Sequence, residues 1–163
     1  MTVSERLKAL DACREAVEWS ERFGDDEQAA WDACERGDWM LWYCGRVSGT
    51  PESESRRKLV LCAVAVARQA WPFVRPGDRN VVKRCYETAE AWGRGDPGVM
   101  LTDVQAAALA AYAVAHEAAY AVAYAAYVAA DAADVAAYAR IASLRASADI
   151  VRGHYPTPPR SNT

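Results

Sequence analysis

The chain has 163 residues, 52% hydrophobic and 25% charged, which is one domain's worth of sequence with enough apolar mass for a core and excludes a disordered chain. Alanine supplies 35 residues, 23 of them between Ala106 and Ala148, which excludes a β-rich fold and predicts an all-α multi-helix bundle of about six to seven helices. A net charge of −3, with a pI near 5.4, argues against direct nucleic-acid binding, for which a basic face is the usual footprint.

The first helix is expected from Ser4 to Phe23, opened by the capping-box spacing of Thr2 and Glu5 and closed by Gly24. Asp25 and Asp26 suit the start of a second helix reaching Arg36. Gly37 then stops that helix, and Asp38 starts a third over Trp39 to Val47. After the loop at Gly49-Thr50-Pro51, a fourth helix reaches Trp71. Its stretch Leu59 to Ala67 is apolar on every side and reads as central and buried. Pro72 and Pro76-Gly77 break the chain, Asp78 caps a fifth helix to Trp92, and Gly93, Gly95, Pro97 and Gly98 form a loop.

Thr102 with Gln105 is another capping box, and no Gly or Pro follows until Gly153. A continuous helix over 102–152 would be about 76 Å long. This segment is therefore either one long Ala/Tyr-rich C-terminal helix or a helical hairpin, with any break near Asp131 to Asp134. Residues 1–155 are expected to form a single helical domain. Residues 156–163 form a Pro-rich tail expected to fray.

The five cysteines, Cys13, Cys34, Cys44, Cys62 and Cys85, contain no C-x-x-C, and the first 22 residues alternate charged and apolar groups. Free thiols in a reducing cytoplasm fit this pattern. No membrane span is expected, because the Ala-rich stretch contains His116, Glu117, Asp131 and Asp134 and alanine drives insertion weakly.

Charge is unevenly spread: net −5 over residues 1–50, +3 over 51–100, −4 over 101–139 and +3 over 140–163. On a helical wheel Tyr112, His116, Tyr120, Tyr124, Tyr127, Asp131, Asp134 and Tyr138 fall within an arc of about 120°. Such a stripe either faces other helices as a wide core seam or faces outward as an acidic aromatic binding surface. A second acidic group, Asp25, Asp26, Glu27, Asp32, Glu35 and Asp38, is interleaved with Trp31, Trp39 and Trp42. These acids are either ordinary partners of helix N-termini, with the tryptophans in the core, or part of one acidic aromatic patch with the Tyr stripe. The candidate partner-binding residues are accordingly Asp25, Asp26, Asp32, Glu35, Tyr120, Tyr124, Tyr127, Asp131 and Asp134.

Two Arg-Gly-Asp tripeptides, Arg36-Gly37-Asp38 and Arg94-Gly95-Asp96, fit a local role in which glycine stops one helix and aspartate turns into the next. They hint at a weak internal repeat of Ala33–Asp38 against Ala91–Asp96. No HExxH, Gly-rich phosphate loop or GxSxG is present. His116 and Glu117 face different sides of a helix, and His154 falls in the expected tail. No catalytic residue, metal or cofactor is expected.

Several blocks carry a family resemblance: Cys34-Glu-Arg-Gly-Asp-Trp-Met-Leu-Trp42, Leu59-Val-Leu-Cys-Ala63, Glu87-Thr-Ala-Glu-Ala-Trp92, the Ala/Tyr-rich segment, and Ala148-Asp-Ile-Val-Arg152 before the prolines. Over about residues 10–158 the chain resembles a family of all-helical immunity proteins from bacterial polymorphic-toxin systems, also found in phage genomes. The resemblance implies a non-enzymatic protein that binds and neutralises a cognate toxin made beside it. An acidic surface would suit a basic effector, since complementary charge speeds encounter and sets specificity. The alternative partner is a host defence protein, with the chain as a phage-encoded antagonist or nucleic-acid mimic. Close Ala–Ala packing would also permit a homodimer.

Overall fold

The computed structural model describes residues 1–50, 52–107 and 133–160, and of Phe73 and residues 133–140 the backbone alone. Among the described residues every regular element is helical and none is a strand. The described residues hold eight α-helical segments, slightly more than the six or seven expected. No helix among them is long and apolar enough to cross a membrane. The chain divides into two compact units. One combines residues 1–49 with the described residues from 144 onward, and the other lies within 50–143.

The first unit opens with α1 (Val3–Ala9), α2 (Arg14–Ser20), α3 (Glu27–Ala33) and α4 (Gly37–Val47). The capping box at Thr2 is complete. Its backbone N–H donates to Glu5 Oε2 at 2.8 Å, and its hydroxyl accepts from the Glu5 N–H at 3.2 Å. The single helix expected over residues 4–23 is interrupted. Asp11 adopts a left-handed conformation (φ 62°), its N–H donates to Lys8 O, and the Ala12 N–H donates to Leu7 O at 3.0 Å. This is the closure that usually recruits glycine, made here by an aspartate, which tolerates that region better than most residues. A short 3-10 turn, Glu21–Phe23, follows α2. Gly24, at φ 57° and ψ −116°, then reverses the chain so that its carbonyl accepts the Val3 N–H at 2.8 Å.

Asp26 caps α3 by accepting from the Ala29 N–H at 2.9 Å. That helix ends at Ala33, short of Arg36, and Gly37 is the first residue of α4 instead of a stop signal. A Cβ at Gly37 would lie 2.6 Å from the Ala148 backbone nitrogen and 2.7 Å from the Ser147 carbonyl carbon. Glycine is there because the start of α4 touches the backbone of the C-terminal helix α7 (Ala133–His154). Met40 and Cys44 on α4 and Ala148 and Val151 on α7 are each at most 2% exposed.

Arg152 on α7 supplies what α3 lacks at its C-terminus. Its Nη1 donates to Cys34 O at 2.7 Å and to Trp31 O and Asp32 O at 3.4 Å, while Nη2 holds Asp149 at 2.6 Å. A guanidinium there satisfies orphan carbonyls and meets the negative end of the helix dipole. His154 is the last residue of α7 and not part of a tail. Tyr155 and Pro156 beyond it are pinned, at the start of the tail expected to fray. Trp31 Nε1 donates to Tyr155 O at 2.7 Å, Gln28 Nε2 donates to Pro156 O at 3.1 Å, and Tyr155 is buried.

The second unit is built on α5 (Glu54–Ala67) and α6 (Arg79–Arg94), joined by 3-10 turns at Arg68–Phe73 and Pro76–Asp78. Ser53 caps α5 by accepting from the Arg56 N–H at 3.2 Å. Val64, Tyr86 and Ala89 form the core, with Val60, Trp71, Val82 and Val104 packed on it, and the Tyr86 hydroxyl donates to Ala67 O at 2.9 Å. The central, all-round buried helix expected here is corrected. Cys62 and Val64 are buried but Ala63 and Ala67 are exposed, because alanines on an outer face raise apolar content without needing cover.

Gly93 does not end α6. A Cβ there would meet Leu61 at 2.7 Å, so it serves the α5–α6 contact, and the helix stops at Gly95 in the left-handed region (φ 78°). Asp78 precedes α6 without a side-chain cap and pairs with Arg75 at 2.6 Å. Residues 101–107 are helical, so Thr102 lies inside the first turn and not at its cap. The Met100 N–H donates instead to Asp103 at 2.7 Å. The two Arg-Gly-Asp tripeptides do opposite jobs, one opening α4 and the other closing α6, which removes the repeat. In each the Arg and Asp pair with one another at 2.7 Å. Residues 108–132, on which the choice between long helix and hairpin depends, lie outside the described residues.

Candidate functional site

The first unit contains an open apolar cleft of about 330 Å³. Aromatic side chains at helical spacing build it: Trp39, Trp42 and Tyr43 from successive turns of α4, Trp31 from α3 and Trp19 from α2. Trp19 meets Trp39 edge-on at 5.9 Å between ring centres, and Trp31 meets Tyr43 at 6.1 Å. Trp31 is buried in the core, whereas Trp42 remains 36% exposed at the mouth of the apolar lining. Pro158 lines the same cleft.

The charged residues lining the cleft are paired. Arg6 and Glu27 meet at 2.5 Å, with both side chains about one quarter exposed or less. Arg36 grips Asp38 through two bonds, at 2.9 and 2.7 Å, while stacking over Trp39 with its guanidinium carbon 4.2 Å from the ring centre. These bonds hold the Asp38 carboxyl below the usual carboxylate range against the opposing effect of burial. Arg6 Nε is buried and has no hydrogen-bond partner.

Among the predicted binding residues Asp25, Asp26, Asp32 and Glu35 are all exposed on or beside α3, and none lines the cleft. Most have local work: Asp26 caps α3, Asp32 accepts from Gln28 at 2.9 Å, and Glu35 pairs with Arg145 at 2.9 Å. From the same acidic group, Glu27 and Asp38 do line the cleft. Tyr120, Tyr124, Tyr127 and Asp131 lie outside the described residues, as does the Asp134 side chain, although its backbone belongs to α7. The union of the two acidic aromatic surfaces therefore falls outside the described residues as well. Arg6, Trp19, Met40 and Pro158 were not anticipated as a group. The Trp39, Trp42, Tyr43 spacing was the available signal, and it fits a core stripe equally well.

Among the described residues no group of His, Cys, Asp and Glu side chains converges to hold a metal ion. Cys13, which lines the cleft, is exposed, while Cys34, Cys44 and Cys62 are buried. Burial pushes the Cys62 thiol up to about 11 and raises Cys34 and Cys85. At pH 8 a thiol-counting reagent should modify Cys13 rapidly in the native protein and Cys34, Cys44 and Cys62 only on unfolding. Two or more of these buried thiols reacting at the Cys13 rate would contradict the packing described.

No family model matches the chain, and searches of characterised proteins and of solved structures return no match either.

Proposed function

We propose that this protein is a non-enzymatic protein-binding inhibitor, an immunity protein that neutralises a cognate toxin, and that it grips its partner through the aromatic cleft of the first unit. The observation that carries this reading is the cleft itself, an open apolar hollow lined by four tryptophans with Trp42 in contact with solvent. Binding energy at protein interfaces concentrates where a few large side chains fill such pockets, with a polar surround that excludes water. The exposed carboxylates of Asp25, Asp26, Asp32 and Glu35 favour a basic partner and accelerate its approach. Of the blocks that carry the immunity-family resemblance, Cys34–Trp42 and Ala148–Arg152 belong to this unit and Leu59–Ala63 and Glu87–Trp92 to the other, and they bear on the fold and not on the partner surface.

A tagged pull-down from native-host lysate, with mass-spectrometric identification, tests the reading. A stoichiometric basic partner encoded beside this gene is expected. A host defence protein in its place would favour the antagonist, and recovery of the chain alone as a defined oligomer would overturn partner inhibition. With the partner in hand, Trp42→Ala should weaken binding by about thirtyfold or more. Asp25→Lys with Asp32→Lys should slow association several-fold in a salt-dependent way. Unchanged affinity and association rate in both variants would remove this surface from the interface.

A further inference from the structure

We infer that the cleft of the first unit is a docking groove for a proline-rich, basic segment of the partner protein. This rests on the reading of the chain as a protein-binding inhibitor and names the part of the partner that the cleft takes. The strap Pro156-Thr157-Pro158-Pro159-Arg160 shows the chemistry in place, because the chain lays it against this surface.

Three prolines in five residues fix φ near −65° and remove three N–H donors, so such a segment offers carbonyls and rings but few donors. A surface suited to it needs N–H donors beside aromatic faces. The first unit provides both. Trp31 Nε1 and Gln28 Nε2 donate to the consecutive carbonyls of Tyr155 and Pro156, at 2.7 and 3.1 Å. Pro158 lines the cleft together with Trp31, Trp39, Trp42 and Tyr43. Arg6 Nε, buried at the same cleft without a partner, is a further donor that the strap leaves unused.

Charge points the same way. Arg160, Pro159 and Glu27 line a neighbouring hollow, so the basic end of the strap shares a surface with the Arg6–Glu27 pair, and exposed Asp25, Asp26 and Asp32 add negative charge around α3. Pro158 of the strap lines the apolar cleft of about 330 Å³, so a longer segment of the same kind would displace the strap, take over the donors it uses and fill the open space beside it.

The probe is a peptide of the strap's own sequence, acetyl-Pro-Thr-Pro-Pro-Arg-amide, with a control in which alanine replaces each proline. Both are titrated into the full chain while the tryptophan indole N–H signals are followed by NMR. Saturable binding of the proline peptide is expected, with shifts among the Trp19, Trp31, Trp39 and Trp42 indoles and weaker binding of the alanine control. The tethered strap competes at a high effective concentration, so a Pro158→Ala, Pro159→Ala chain should bind the peptide about tenfold more tightly. Trp42→Ala, at an exposed position, should weaken peptide binding while leaving the fold intact and serves if the strap variant does not fold. No saturable binding at millimolar peptide, or equal binding of the alanine control, overturns the proposal. If the captured partner still depends on Trp42 after such a failure, the inhibitor reading stands and the proline specificity alone falls. Peptide binding with no protein partner recovered from lysate gives the converse result.

Discussion

Val64→Asp should abolish cooperative folding of the second unit. Val64 is 7% exposed and packs with Tyr86 and Ala89, and Arg68, the cation stacked on the Tyr86 ring, is already paired with Glu90 at 2.8 Å. The variant loses the burial of an aliphatic side chain, about 2 kcal/mol, and either buries a charge or forces its protonation, which raises the total above about 4 kcal/mol. Val64→Ala loses only the first part and should remain folded. Far-UV circular dichroism with the near-UV signal of Trp71 and Trp92 distinguishes the two. A Val64→Asp chain that unfolds cooperatively near the parent midpoint would overturn the assignment of the buried face of α5.

Gly37→Ala and Gly153→Ala should change stability in opposite directions. Both glycines lie in helices, and alanine in place of glycine there is worth about 0.5–1 kcal/mol of helix propensity. At Gly153 nothing lies within 4 Å of the added methyl, so that gain is realised. At Gly37 the methyl would sit 2.6–2.7 Å from backbone atoms of Ser147 and Ala148, which cannot turn aside as a side chain can. Separating α4 from α7 should cost about 2 kcal/mol net, a melting-temperature loss of about 4–8 °C. Denaturant titration of the two variants measures both signs, and a neutral Gly37→Ala would show that the helices are not in contact there.

The helical class was legible because alanine content, caps and Gly/Pro punctuation all point one way, and Thr2, Asp26 and Gly24 act as their chemistry suggests. What escaped sequence reading depended on distant chain. Gly37 looks like a stop signal until its neighbour, 110 residues on, is known to be Ser147. Arg152 looks like a surface charge until the bare carbonyls of α3 lie beside it. Asp11 escaped for a local reason, since one aspartate among helix formers carries little of the information that glycine would. The candidate site was legible in part. Acidic and aromatic residues were visible along residues 25–42, but which aromatics stay open to solvent depends on packing partners from both ends of the chain.

That division has a consequence for synthesis. The first unit is written in two pieces, and bonds such as those from Trp31 to Tyr155 and from Arg152 to Cys34 span 124 and 118 residues. A ribosome therefore releases α1 to α4 roughly 100 residues before the helix that completes their packing, an interval of about 5–20 s. Throughout it the orphan carbonyls of α3 and the apolar faces of α4 lack their cover. The second unit meets no such delay, because α5 and α6 are near neighbours in sequence and contacts of short range form early. The aromatic cleft, lined also by Pro158, is completed last, and the nascent amino-terminal helices are where a chaperone would find its apolar surface.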